Sequence, residues 1–147
     1  MVCGRVIAVS PYEILEHTAD IGLLARGRTL TEVFREATIG MLKIAGSFHP
    51  GHPGDGERVP IEVQARDLAG TLVDWLSEAL YIQDSKGLSV GDVEVEAVAE
   101  ESATGSVVVR PFAGDHSEGV QIKAVTYHQL SVEPAGDGWE ARVFFDI

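Results

Sequence analysis

Cysteine is nearly absent from this sequence, since Cys3 is the only one among its 147 residues. A single cysteine excludes an internal disulfide framework and a zinc site built from several cysteine thiolates. Because Cys3 lies close to the amino terminus, we interpret it as an incidental residue rather than a reactive thiol. The fold must therefore be held together by an ordinary apolar core.

Long apolar runs are also missing, and no stretch approaches the roughly 18 consecutive apolar residues of a membrane span. The first ten residues, MVCGRVIAVS, resemble a signal peptide only loosely. Their apolar run is about four residues long, and no small-residue cleavage site follows it. We therefore expect a soluble, cytoplasmic protein without a membrane anchor, in which residues 1–11 form a loosely ordered extension.

Basic residues are scarce. The sequence has 11 lysines and arginines against 23 aspartates and glutamates, which gives a formal net charge of −12. Repulsion from phosphates then opposes tight direct binding to nucleic acid. The same balance favours a basic protein partner or a cation, although a merely soluble acidic surface has the same composition.

Common catalytic motifs are missing as well. The sequence has no P-loop, no G-x-G-x-x-G fingerprint and no serine nucleophile elbow. It also has no histidine and cysteine spacing typical of zinc sites. The remaining candidates for chemistry are carboxylates and one lysine at predicted strand ends.

Two stretches have the apolar spacing of amphipathic helices. In the first, Thr29 and Glu32 fit a capping box, and Gly46 is a suitable end of the helix. The second follows Asp67, which can cap its first turn. Its apolar stripe contains Trp75, which we place in the core rather than in a binding site.

Most other residues alternate between apolar and polar types, which predicts β-strands. Residues 12–27 indicate two short strands around a polar turn, and residues 59–65 indicate another strand. The order of elements predicts an α+β fold, in which two helices pack on a mostly antiparallel or mixed β-sheet. We expect one domain over residues 12–147, with no linker that would divide it.

The longest predicted strand covers residues 120–132. Its apolar face contains His128, which we therefore expect to be a hydrogen-bonded core histidine. An Asp137-Gly138 turn then predicts a hairpin to the final strand, Trp139–Ile147. On that strand Phe145 and Ile147 share the face expected to be buried, and the residues between them point to the opposite face.

Carboxylates lie at the start and at the end of this set of strands. If the turn that contains Asp20 meets the final strand, Asp20, Asp146 and the main-chain carboxylate of Ile147 supply oxygen ligands for a hard cation such as calcium. Adjacent carboxylates repel each other without a cation. The alternative is that Asp20 caps its turn while Asp146 and the terminal carboxylate lie apart in water.

Two further polar residues accompany these carboxylates. Lys123 can pair with a carboxylate or an external phosphate, or it can be a solvated surface lysine. His17 precedes Asp20 in the same turn, where it can orient the aspartate or simply cap the turn. The residues alone do not decide between these roles.

Four stretches together resemble the archease family, small acidic proteins that work with RtcB-type RNA ligases. They are YEILEHTADIG, DLAGTLVDWLSEALY, KAVTYH and GWEARVFFDI, and they occur in the family's order. They begin at Tyr12, Asp67, Lys123 and Gly138. The resemblance covers residues 12–147 and leaves only residues 1–11 outside.

The resemblance implies a cofactor protein of tRNA splicing that is not itself an enzyme. Such a protein promotes guanylylation of its ligase, allows the ligase to turn over repeatedly and broadens its nucleotide use. It also implies a metal site, usually assigned to calcium, made here by Asp20, Asp146 and Ile147. Lys123 would then be a functional group that faces the partner.

Two other functions remain open. A small metal-dependent hydrolase would need a general base, for which His17 and Glu16 are the candidates near the carboxylates. A chaperone-like module would need a large exposed apolar patch. The regular amphipathic patterns of this sequence do not favour such a patch.

Overall fold

The computed structural model describes residues 5–9, 11–16, 20–50, 56–85, 88–111 and 119–147. Within these ranges the chain forms eight strands and two helices. In chain order they are β1 (Arg5–Val9), β2 (Tyr12–Glu16), β3 (Asp20–Gly27), α1 (Leu30–Ile44), β4 (Glu57–Gln64), α2 (Leu68–Ser85), β5 (Leu88–Ala99), β6 (Ser102–Pro111), β7 (Ala124–Ala135) and β8 (Gly138–Asp146).

The strands form two antiparallel sheets. The larger sheet has the order β1-β2-β3-β8-β7, and the smaller sheet has the order β4-β6-β5. Side chains from both helices and both sheets contribute to one continuous core. The predicted α+β fold with two helices is confirmed, and neither helix in the described part of the chain is long and apolar enough to cross a membrane.

The strand β1 lies within residues 1–11, for which the sequence predicts a loosely ordered extension. It pairs with β2 along its whole length, from Arg5 opposite Glu16 to Val9 opposite Tyr12. It is therefore an edge strand of the larger sheet. The boundary placed between residues 11 and 12 stays a prediction.

Both helices begin with the caps that the sequence predicts. The Thr29 hydroxyl accepts a hydrogen bond from the Glu32 N–H at 3.2 Å, and the Glu32 carboxylate accepts one from the Arg28 N–H at 2.6 Å. At the start of α2, the Asp67 carboxylate accepts a hydrogen bond from the Gly70 N–H at 2.7 Å. The contacts of Thr29 and Asp67 satisfy backbone donors that the first helical turn leaves without intrahelical partners. The contact of Glu32 satisfies the N–H of Arg28, which precedes the cap.

Trp75 lies at the centre of the core, where it is fully buried. Its indole N–H donates a hydrogen bond to the Thr38 hydroxyl at 2.8 Å and so joins α2 to α1. Across the interface, a Cβ added to Gly105 on β6 would lie 2.8 Å from the Trp75 ring and would overlap the Glu94 carbonyl oxygen. The ring therefore needs a glycine opposite it, and the prediction of a core tryptophan is confirmed.

The strands β3 and β8 bring the two ends of the sequence together. Their antiparallel register places Asp20 opposite Asp146 and Ile21 opposite Phe145. Phe145 is fully buried, as the alternation predicts. Because successive side chains of a strand point to opposite faces, Asp20 and Asp146 share the other face of the sheet.

The strand β7 differs from the long strand that the alternation predicts. It begins at Ala124, and its pairing with β8 shifts between Thr126, opposite Phe144, and Ser131, opposite Arg142. The five residue steps from Thr126 to Ser131 on β7 lie opposite the two steps from Phe144 to Arg142 on β8. The strand β7 therefore has three extra residues. An odd number of extra residues exchanges the two faces of a strand. Beyond the bulge Leu130 and Val132 pack against the core as predicted, but before it Val125 packs there and Ala124 is exposed, so the predicted alternation fails on that side.

His128 lies in this bulge and is exposed, so the prediction of a hydrogen-bonded core histidine is wrong. Its ring packs edge-on against Phe144, with ring centroids 5.7 Å apart. Nearby, Gln129 has a φ of 50°, a conformation uncommon for residues other than glycine. The bulge, rather than the apolar pattern, decides where His128 lies.

Candidate functional site at the paired ends of β3 and β8

The first residue of β3 and the last residue of β8 form the centre of the candidate site. Asp20 and Asp146 are direct partners in the antiparallel register. Residues that face each other in this way have Cβ atoms about 4.5–5.5 Å apart. Asp20 is half-buried and Asp146 is exposed, so one ion could contact both carboxylates from the solvent side.

The strand β7 adds a third segment to this end of the sheet. Ala124 lies opposite Asp146, and the Lys123 N–H donates a hydrogen bond to the Asp146 carbonyl at 2.7 Å. The main-chain carboxylate of Ile147 follows directly, and the Ile147 side chain packs against the core. The structure therefore brings Asp20, Lys123, Asp146 and Ile147 to one sheet end, while the roles given to them stay predictions.

His17 lies outside the described residues, and so does the side chain of Glu16. The prediction that His17 orients Asp20 is therefore untested. Glu16 is the last residue of β2, and His17 follows it three positions before Asp20 in the sequence.

The carboxylates of Asp20 and Asp146 have no basic partner among the described residues. The ion pairs found there involve Arg26, Arg35 and Arg58 instead. Like charges directly opposite each other on neighbouring strands destabilise the pairing. Among the described residues no ion pair offsets this repulsion, which a bound cation or a basic partner would relieve.

At the opposite end of β3, acidic residues do have a basic partner. Arg26 donates hydrogen bonds to Glu13 at 2.6 Å and to Glu140 at 3.3 Å. The hydrogen bond to Glu13 is the main cause that raises the pKa of Arg26. Acidic residues at that end are neutralised by Arg26, whereas the described residues provide no such ion pair for Asp20 and Asp146.

The available donors fit a calcium-type ion by their chemistry, because all of them are oxygen atoms. Zinc sites are built mainly from histidine nitrogen and cysteine sulfur, with carboxylate oxygens as additional ligands. In the described ranges, no three His, Cys, Asp or Glu side chains are arranged to hold a metal ion. A third donor from the described residues would thus be the main-chain carboxylate of Ile147, which is not a side chain.

One feature at this end of the molecule has no signal in the sequence. A small cavity lies between the ends of α1 and α2, and its walls include Ala45, Gln83 and Val120. These residues are far apart in the chain and belong to no motif. Only the packing of the helices shows that they share a surface.

The comparison with known proteins identifies the family. The model of the archease protein family matches residues 12–147. Protein archease of Methanosarcina acetivorans is 38% identical over 141 residues, which cover 92% of this chain and 95% of that protein. Protein archease of Thermococcus kodakarensis is 32% identical over 143 residues, which cover 92% of this chain and 98% of that protein.

Two solved structures share the fold. The solution structure of a Methanobacterium thermoautotrophicum protein superposes with a TM-score of 0.74 at 27% identity and covers 95% of this chain and 100% of that chain. The crystal structure of a Thermotoga maritima archease, described as a possible chaperone, has a TM-score of 0.60 at 27% identity and covers 90% of this chain and 94% of that chain. With its fold and its whole length from Tyr12 matched, the chain belongs to the archease family.

Proposed function

We propose that this protein is a non-catalytic activator of an RtcB-type RNA ligase of tRNA splicing. It promotes guanylylation of the ligase and allows repeated turnover. The observation that carries the proposal is the register of β3 and β8, which sets Asp20 against Asp146 beside Ile147. Family membership supports the choice of partner.

Under this proposal Asp20, Asp146 and the Ile147 carboxylate hold a divalent cation, with calcium the first choice. When bound, the ion supplies positive charge and coordination positions that oxygen ligands of a partner can fill. The protein's own part is to fix the carboxylates. Because β8 is hydrogen-bonded to β3 on one side and β7 on the other, the Asp20 and Asp146 carboxylates stand on paired strands, and Ile147 follows β8 directly.

The overall charge suits a partner with a basic cleft. At −12 the protein is attracted to the positive surface with which a ligase binds RNA and nucleotide, and it does not compete as a tight nucleic-acid ligand itself. Lys123 is exposed at the same sheet end as the carboxylates. It offers an ammonium group to a carboxylate or phosphate of the partner.

The surface favours an activator over a chaperone-like module. In the described part of the chain, large apolar side chains are exposed at three positions, Tyr81, Val120 and Tyr127. A chaperone-like surface would need a contiguous apolar patch of several hundred Å². Scattered single side chains are normal for soluble proteins.

A ligation assay tests the proposal. With ligase present at far lower concentration than RNA ends, adding this protein should raise both the number of ligations per ligase molecule and the guanylylated fraction of the ligase. The protein alone should join nothing. Unchanged turnover with a cognate ligase would contradict the proposal, and hydrolysis of RNA by the isolated protein would instead support the metal-dependent hydrolase.

Extending the chain with a Gly-Ser pair after Ile147 tests the third donor, because the added peptide bond converts the carboxylate into a neutral amide. For the unmodified protein, calcium at 100 times its Kd should stabilise the fold by about 2.7 kcal/mol. That corresponds to a rise in melting temperature of roughly 5–10 °C for a domain of this size. We expect the extended protein to show a clearly smaller rise.

The matched control for this extension carries the same Gly-Ser pair before Met1. It should respond to calcium like the unmodified protein. Titration calorimetry provides the direct measurement of Kd for all three proteins. An unchanged calcium Kd after extension beyond Ile147 would remove the Ile147 carboxylate from the proposed ligand set.

A further inference from the structure

The cavity between the carboxyl-terminal ends of α1 and α2 carries a second inference. It has a volume of about 220 Å³ and is lined by Ala45, Gln83, Asp84 and residues 119–122. This volume is too small for a folded segment but sufficient for the end of one side chain. The polar groups of its walls determine which kind of side chain can bind.

The cavity lies at the same end of the molecule as the acid pair, Asp20 and Asp146. The Val120 N–H donates a hydrogen bond to the Ile44 carbonyl at 2.9 Å, and Lys123 is hydrogen-bonded to Asp146 as described above. The three residue steps from Val120 to Lys123 span at most about 11 Å. One segment of chain therefore joins the cavity wall to the carboxylates.

Gln83 supplies the first polar group of the wall. It is only 8% exposed, and its amide nitrogen donates to the Leu80 carbonyl of its own helix at 3.2 Å. Its amide oxygen accepts no hydrogen bond from the described residues. In the described residues, every fully buried side-chain nitrogen or oxygen has a hydrogen-bond partner. The Gln83 amide oxygen has no partner there, so it is accessible. Gln83 lines the cavity, which is the space open to this oxygen.

The end of α1 supplies a second acceptor. Gly46 has a φ of 74° and closes the helix in a Schellman-type turn. The four carbonyls that precede Ala45 all accept backbone hydrogen bonds; they belong to Met41, Leu42, Lys43 and Ile44. The Ala45 carbonyl accepts none from the described residues. Its oxygen lies against the Cα of Gly119, where an added Cβ would overlap it, and both residues line the cavity.

The end of α2 adds negative charge. Its last turn contains no basic residue, and Asp84 is exposed there. A carboxylate near a helix carboxyl terminus is unfavourable, because that end of the helix already carries a partial negative charge. The last turn of α1 does contain a lysine, but the Lys43 ammonium lies 5.5 Å above the centre of the Tyr12 ring.

We propose that this cavity binds the cationic end of a lysine or arginine side chain from a partner protein. Three residues that line it carry acceptors, the Gln83 amide oxygen, the Ala45 carbonyl and the Asp84 carboxylate, which matches a group that only donates hydrogen bonds. The position beside the acid pair makes the cavity a second contact for the same partner. The inference rests on the proposed function only for the identity of that partner, the RNA ligase.

A titration of the isolated protein tests the cavity without any ligase. The probes are the Nα-acetyl amides of arginine and of lysine, and the control is the acetyl amide of citrulline, which has nearly the shape of arginine but no charge. By NMR we expect saturable shifts of the Gln83 side-chain amide and the Val120 backbone amide, with a roughly millimolar Kd, as befits so small a ligand. The citrulline compound should cause no saturable shift.

Two variants test which side chains of the cavity bind the cation. Asp84→Asn should weaken binding of the arginine compound about 2- to 5-fold, the range of an exposed ion pair. Gln83→Met, which keeps the length of the side chain and removes its oxygen, should weaken binding as well. Asp74→Asn changes the net charge equally on the same helix but away from the cavity, and it should leave Kd unchanged.

Several results would overturn the inference. Equal responses to arginine and citrulline compounds would show that the cavity does not select a cation. Equal weakening by Asp84→Asn and Asp74→Asn would reduce the effect to overall charge, and saturable shifts of Gln83 with calcium chloride but not with arginine would indicate an ion site. Because no ligase is present, each of these leaves the activator proposal standing, and a failed ligation assay leaves the cavity result standing.

Discussion

Asparagine in place of Asp20 or Asp146 is expected to remove the calcium-dependent rise in melting temperature and to return ligase turnover to that of the ligase alone. Each variant keeps the size of the side chain and removes one of the two opposed charges. At calcium 100 times the wild-type Kd, the lost stabilisation is about 2.7 kcal/mol. Asp20→Ala and Asp146→Ala should give the same loss of activation with little loss of folding.

The sign of the effect should reverse when calcium is chelated. Without a cation the two carboxylates repel each other, so removal of one should stabilise the fold by about 0.2–1 kcal/mol. Urea unfolding, with calcium and again with a chelator, measures the change in the free energy of unfolding of each variant under both conditions. Glu133→Gln, which changes the net charge equally at an exposed position of β7, should alter neither the calcium response nor the turnover.

The outcome that would refute this site is specific. An Asp20→Asn protein that binds calcium and activates the ligase normally would show that β3 contributes no ligand. If chelation instead left both variants less stable than the wild type, the carboxylates would have a structural partner that the described residues do not contain. Either result would leave the fold assignment untouched.

Alanine in place of Trp75 is expected to be among the most destabilising single changes in the core. Truncation of a fully buried aromatic side chain costs about 3–5 kcal/mol, and domains have about 5–15 kcal/mol in total. The variant also leaves the Thr38 hydroxyl without its indole donor. Urea unfolding should show a lower midpoint, with ligase activation retained at temperatures where the variant is folded.

Two further variants separate the contributions of Trp75. Trp75→Phe keeps most of the apolar volume and removes the hydrogen bond, which contributes about 0.5–1.5 kcal/mol. Its cost should therefore be well below that of Trp75→Ala. The matched control is Tyr81→Ala on the same helix, where the ring is 66% exposed and the expected change is within about 0.5 kcal/mol. Similar costs for the two alanine variants would contradict the placement of Trp75 at the centre of the core.

Features decided by neighbouring residues could be predicted from the sequence. Thr29 and Asp67 cap helices because their side chains reach backbone N–H groups three positions ahead, which is a local geometry. The burial of Phe145 follows from the two-residue period of its own strand. The prediction that Asp20 lies beside Asp146 came from the family resemblance. The spacing of the residues alone allowed the two carboxylates to be either neighbours or far apart.

Features decided by contacts between distant segments could not be predicted. The split into two sheets depends on which strands pair, and alternation within one strand carries no such information. The bulge in β7 places His128 on the surface although its neighbours continue the apolar pattern. The cavity near Gln83 arises where two helix ends meet, so its lining residues share no pattern along the chain.

The position of β8 determines when, during synthesis, Asp20 and Asp146 can come together. It is the last of the described strands to be synthesised, and it must enter the space between β3 and β7. At about 5–20 residues per second, Asp20 leaves the ribosome many seconds before Asp146 exists. The opposed carboxylates are therefore absent from every partly made chain, and under the proposed function only a molecule with β8 in place can bind the cation.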